Sequence, residues 1–215
     1  MLLVKDQRSP EWFAARRTRI TASRFNDVLN GTPKAWSRML AEIQGDRPGF
    51  RGNAATRWGE RYESEAIAFF EFQEGLDVDI TGFHVMDEFP DDIGSSPDGL
   101  IGSDYAVEVK CPYNSDVHLK TWKEQKVPAK YVPQVQGHLL VTGRRFVWFL
   151  SYDPRQPIEK RLVKILVIRN NHYIDGLRTR LLQFVEFWKV TRDPSLYFGK
   201  KETTDIFDDS LPLLF

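Results

Sequence analysis

Residues 96–112 read SPDGLIGSDYAVEVKCP, and the fold turns on how this stretch is laid out. From Tyr105 to Lys110 apolar and polar residues alternate, which is the period of a β-strand. Glu108 and Lys110 then share one face of that strand, and Val107 and Val109 share the other. Just upstream, Gly99 and Gly102 mark a tight connection, so Asp98 at the end of the preceding strand is expected beside Glu108. Two carboxylates and one ammonium would occupy a single site.

Working outward, Ser9 before Pro10 and Glu11 predicts a helix start, running to about Arg17. Thr21 offers a second cap for a helix ending at Asn30-Gly31, and a third helix is expected to stop at Gly45 before a polar loop at 46–53. The longest helical pattern leads to Gly75, with an inner stripe of Gly59, Tyr62, Ala66, Phe69 and Phe70 and with Glu63 at its border. Strands are expected at about 78–86, 92–95 and 105–110, helices at 114–125 and 131–142, strands at 146–153 and 160–168, and a helix at 171–190. The alternation predicts an α/β fold, a mixed central β-sheet flanked by helices. One domain is expected over 1–195, with an irregular or loosely docked tail at 196–215.

The chain has 215 residues, 41% of them hydrophobic, enough for one large core. Its apolar runs are too short to cross a bilayer, and charge follows the first four residues too soon for a signal peptide. Cys111 is the single cysteine and is expected to be buried rather than bridged. These features point to the cytoplasm. Formal net charge is zero, yet 61–108 carry one basic residue against thirteen acidic ones, and 109–192 carry sixteen against six. An acidic segment between basic ones suits a cation site in a surface that meets phosphates. Solvated clusters that interleave on folding would give the same pattern.

Asp98, Glu108 and Lys110, with Pro97, match the P-D-x9-E-x-K core of the PD-(D/E)XK nucleases. Mg²⁺ asks for hard oxygen ligands, keeps several waters and is completed by substrate phosphate. The Val109 backbone carbonyl is an added oxygen ligand. Lys110 could orient the attacking water, lower its pKa or stabilise phosphate charge. The same three residues also fit an exposed pair on an amphipathic strand after a β-turn. Glu63 on the half-buried side of its helix is a candidate ligand for a second ion, or else a partner of Arg57 or Arg61. Gln134, one turn from His138, can hold a metal-bound water or simply begin a helix. The four histidines show no zinc spacing, and there is no phosphate loop.

Six segments widen the match: EWFAARRTRITAS, RWGERYESEA, SSPDGL, VEVKCP, QVQGHLLVTG and WFLSYDPR. In order and spacing, over roughly residues 9–190, the chain resembles the phage lambda exonuclease family, also called YqaJ-like viral recombinases. The resemblance implies a restriction-endonuclease-like core and a Mg²⁺-dependent 5′-to-3′ exonuclease on linear double-stranded DNA. Such an enzyme releases 5′-mononucleotides and leaves 3′ overhangs. It also implies a homotrimer ring, processive digestion, and partnership with a single-strand annealing protein in a bacterial cell carrying a phage or prophage. Asp98, Glu108 and the Val109 carbonyl correspond to the first of two metal sites and Glu63 to the second, with Mn²⁺ a substitute. Lys110 matches the catalytic lysine and Gln134 the nearby glutamine. Arg16, Ser23 and Ser96 align with a pocket for the 5′-terminal phosphate. The stretch 50–57 departs from the family, so no strand-separating residue is carried over. A structure-selective or site-specific endonuclease and a non-catalytic DNA-end adaptor are the rival readings.

Overall fold

The structure is a computed structural model that describes residues 1–44 and 52–192. The expected stop at Gly45, the basic residues Arg47 and Arg51, and the tail at 196–215 lie outside the described residues. In chain order the elements are β1 (Leu2–Val4), α1 (Pro10–Arg17), β2 (Ile20–Thr21), α2 (Phe25–Asn30), α3 (Pro33–Gln44) and α4 (Ala54–Glu74). There follow β3 (Phe83–Val85), β4 (Ile93–Ser95), β5 (Gly99–Ile101), β6 (Tyr105–Lys110), α5 (Ser115–Glu124), α6 (Val132–Thr142), β7 (Phe146–Tyr152), β8 (Leu162–Ile168) and α7 (Asn171–Arg192).

The strands form two mixed four-stranded sheets, ordered β1-β3-β4-β2 and β5-β6-β7-β8. In the second, β6 and β7 pair in parallel and the outer pairs are antiparallel. A parallel pair needs a long crossover, and α5 and α6 provide it. One face of β6 and β7 packs Val107, Val109 and Leu150 against Ala66, Ile67 and Phe70 of α4. The other face packs Ala106, Val147 and Phe149 against Val135 and Leu139 of α6. A separate core joins α2, α3 and α7 to Ile20 and Ile93 of the first sheet.

Helix ends follow their local chemistry. Ser9 Oγ accepts the Trp12 N–H at 3.1 Å, and Asn53 and Thr56 cap α4 reciprocally. Gly75 closes α4 with a φ of 64°, a left-handed turn that glycine adopts without strain. Thr21 departs from expectation: its hydroxyl caps no helix and instead lies 3.0 Å from Ser23 Oγ. The expected strand over 78–86 is shorter, because only Phe83–Val85 enter the first sheet, while Asp79 bridges Leu100 of the second. β1, β2 and β5 were not expected; at two or three residues each they are too short to show a period. Gly59 does not pack in the inner stripe, since a Cβ there would meet nothing within 4 Å among the described residues.

Candidate active site

The alternation in β6 places Glu108 and Lys110 on the α6 side of the second sheet. Glu108 is 1% exposed, and its carboxylate gathers three donors. Lys110 Nζ and Gln134 Nε2 (2.7 Å) donate to Oε1, and His138 Nε2 lies 2.6 Å from Oε2. Gln134 and His138 are four residues apart on α6, so both side chains reach the same group. A carboxylate only accepts, so His138 Nε2 carries a proton and Nδ1 is left to Ser95 Oγ at 2.5 Å. Burial alone would raise the Glu108 pKa, but Lys110 and His138 outweigh it and hold the group down to about 2. Burial likewise disfavours the Lys110 charge, and Glu108 and Asp98 more than restore it.

Asp98 stands differently. Its Oδ2 accepts the Val109 N–H at 2.7 Å, and its own N–H donates to Val107 O at 2.9 Å, pinning it to β6. Burial, then the charges of Glu108 and Glu63, push its carboxyl well above the usual range. Glu63 reaches the same cleft from α4, and burial raises its pKa against the pull of Arg8. Its partner is Arg8, with Nη2 3.2 Å from Oε2, and not Arg57 or Arg61. Arg8 holds a left-handed φ of 62°, an unusual conformation for arginine, immediately before the α1 cap.

A cation fits this set by its chemistry. All the side-chain donors are hard oxygens, and crowded, desolvated carboxylates are relieved by an ion. A carboxylate has about four acceptor sites, so the three donors on Glu108 leave it one. Among the described residues no three His, Cys, Asp or Glu side chains are already gathered as a metal site. Waters and the Val109 carbonyl would therefore complete the coordination, as Mg²⁺ accepts.

Of the three residues aligned with a phosphate pocket, two come together. Arg16 lies over the Trp12 ring at 4.2 Å, and Trp12 Nε1 donates to Ser96 Oγ at 2.9 Å. Burial lowers the Arg16 pKa to about 10, opposed by Asp98 and Glu108, so the guanidinium stays charged at neutral pH. Ser23 is exposed on the turn after β2 and bonds only Thr21 among the described residues.

Sequence reasoning missed His138, Ser95, Trp12 and Arg8. For His138 the four-residue spacing from Gln134 was the available signal; for Trp12 it was the same spacing to Arg16. Cys111 is buried as expected, and burial pushes its thiol up to about 12. Behind the site, buried Asp153 binds Ser115, Arg155 and Gln156, while Arg155 stacks over Trp58 at 4.3 Å. This knot fixes the segment after β6 against α4.

A family model described as the YqaJ-like viral recombinase domain matches residues 11–145. Among solved structures, the alkaline exonuclease LHK-Exo from Laribacter hongkongensis superposes with a TM-score of 0.80 at 30% identity, covering 89% of this chain and 98% of that one. The same protein in complex with dAMP gives a TM-score of 0.80 at 28% identity over the same shares. A phage-related exonuclease from Haemophilus somnus 129PT shares the fold, with a TM-score of 0.63 at 15% identity, covering 85% of this chain and 96% of that one. No curated protein matches the sequence. The fold is thus the α/β core of the PD-(D/E)XK nucleases, and the likeness supports a nuclease role for the protein. The chain belongs to the YqaJ-like viral recombinase family.

Proposed function

We propose that the protein is a Mg²⁺-dependent exonuclease that digests linear double-stranded DNA from its 5′ ends, releases 5′-mononucleotides and leaves 3′ single-stranded overhangs. The observation that carries this reading is the meeting of Asp98, Glu108 and Lys110 at one end of β6, with charged Arg16 close enough to feel both carboxylates. The dAMP bound to the similar LHK-Exo is a nucleoside monophosphate, the product class expected here.

Asp98, Glu108 and the Val109 carbonyl would hold one divalent ion, and Glu63 would contribute to a second. Ions held there would supply an activated water and neutralise charge on the phosphodiester. Lys110, kept charged by Glu108 and Asp98, points its ammonium at the cleft and stabilises the charge that builds on the phosphate. Gln134 and His138 fix the Glu108 carboxylate so that it does not turn. Arg16, on its Trp12 platform, takes the 5′-terminal phosphate through its planar fork, with the Ser96 hydroxyl held by the same indole; Ser23, which the resemblance assigns to this pocket, would join them only on the bound phosphate. Charge at that pocket sets the direction of digestion, because only one kind of end carries the phosphate.

The reading includes the family's arrangement as a processive homotrimer ring that hands its overhang to a single-strand annealing protein, in the cytoplasm of a bacterium carrying a phage or prophage. One domain over 1–195 would carry the nuclease. No helix among the described residues is long and apolar enough to cross a membrane.

The deciding assay is digestion of linear duplex labelled at the 5′ or the 3′ end, with and without Mg²⁺, beside a closed circle and a 5′-hydroxyl end. Early Mg²⁺-dependent release of the 5′ label as a mononucleotide, slow at the 5′-hydroxyl end, is expected. Asp98→Ala and Lys110→Ala should each lose about a hundredfold or more. Cutting of the closed circle would make the protein an endonuclease, and binding without cleavage would make it an adaptor.

A further inference from the structure

Gly59 sits six residues into a 21-residue helix, where glycine is the least favourable residue other than proline. Glycines in folded helices usually have a visible reason, and α6 shows one. A Cβ on Gly137 would lie 2.4 Å from the Phe25 ring, so α6 and α2 could not close with any larger residue there. Gly59 has none of these reasons. A Cβ there meets no atom of the described residues within 4 Å, its φ is not left-handed, and the helix runs unbroken through it. Nothing among the described residues requires glycine at position 59.

What lies in front of it is the cleft. Gly59 is one turn before Glu63, and both line a cavity of about 860 Å³ that Lys110 also lines. Tyr131 and Lys130 line the same cavity; the two ammonium groups of Lys110 and Lys130 sit 5.2 Å and 4.6 Å from the Tyr131 ring centre. These side chains thus offer cations and an aromatic ring, which suit phosphates and bases. On α4 the lining is Ala55, Thr56, Gly59, Glu60 and Glu63, and at Gly59 alone it is bare backbone.

We infer that Gly59 is where the bound nucleic-acid strand lies closest to the protein: the missing side chain leaves room for a sugar or base pressed against α4 next to Glu63. This rests on the nuclease reading above. It makes Gly59 a determinant of substrate fit, one that trades helix stability for clearance.

The trade gives a test in which stability and activity move in opposite directions. Gly59→Ala and Gly59→Leu place strong helix formers in open space, and both should melt about 1–4 °C above the parent protein. Digestion of linear duplex should fall as the side chain grows, reaching about a hundredfold for Gly59→Leu through misplacement of the strand. The Mg²⁺ concentration for half-maximal rate should not move. Ala68→Leu, the same kind of enlargement at an exposed helix position away from the cleft, should digest like the parent. Parental rates in both Gly59 variants would overturn the inference, as would a lower melting temperature, which would make Gly59 structural. A shifted Mg²⁺ requirement would overturn it too, by placing the effect on Glu63. If the parent protein itself leaves linear duplex intact, the nuclease reading fails, an outcome separate from all of these.

Discussion

Glu108 and Asp98 are neighbours across a tight connection, yet the fold treats them in opposite ways. Glu108 is fully enclosed and receives an ammonium, an amide and an imidazole, so its charge is held at a cost already met by its partners. Asp98 receives one backbone N–H and the repulsion of two other carboxylates. The first is a finished part of the folded protein. The second has no ion pair among the described residues beyond the weaker pull of Lys110, and the proposed cation would complete it together with Glu63, which already pairs with Arg8. This asymmetry separates residues that build the site from residues that wait for its cation, though all three would contact the same ions.

The comparison breaks most sharply in stability. Glu108→Gln should lower the stability of the metal-free protein by about 3 kcal/mol, because it strands the half-buried Lys110 charge. Asp98→Asn should do the reverse. It keeps an oxygen for the Val109 N–H and removes a repelled charge, and so should stabilise the metal-free protein by about 1 kcal/mol. Both should abolish digestion. Denaturant melts of the two variants without metal check the opposite signs, and two losses of equal size would end the distinction.

A smaller effect is expected one step further out. His138→Ala or Gln134→Ala should leave metal binding in place but slow digestion about 10- to 100-fold, by letting the Glu108 carboxylate turn. A rate assay at saturating Mg²⁺ reads this, and unchanged rates would mean that Lys110 alone positions Glu108.

A further effect, read by pH rather than by substitution, lies in the first sheet, where His84 pairs with Ser95. His84 is buried against Thr81, and burial, the chain's amino terminus and Arg144 lower its pKa to about 4 from 6.5. The unfolded chain takes up this proton below pH 6.5 and the folded protein does not. Stability should therefore fall between pH 6.5 and 4, by an amount on the order of 2 kcal/mol, and level off below. Denaturant titrations across that range would show it, and His84→Gln should flatten the slope.

Much of the second sheet was legible because β6, β7 and β8 are six or seven residues long, enough for a period to show. In the first sheet β3 and β4 fall within expected strands, but β1 and β2 did not show, since they hold three and two residues and take their identity from pairing with distant segments. The cap at Ser9 and the stop at Gly75 were readable because their chemistry is local. His138 was not. It lies in a helix buried from Pro133 to Val141 except for half-exposed Gln134 and Leu140, so hydrophobic period cannot say which way the imidazole points. Gly59 was misplaced for the opposite reason, because periodicity assigns a face to every residue, including one with no side chain to bury. Arg16, Ser23 and Ser96 came from resemblance alone, and the hydrogen bond that ties Trp12 to Ser96 spans 84 residues.

The chain of contacts Ser95–His138–Glu108 begins on β4, crosses α6 and ends on β6. It spans two sheets that share no strand. The hairpin, its crossover and the long helix would look like a portable nuclease module, yet the imidazole that aligns the carboxylate is itself aligned from outside that module. A minimal engineered version cut to the second sheet would keep every proposed ligand and lose the hydroxyl that sets the ring.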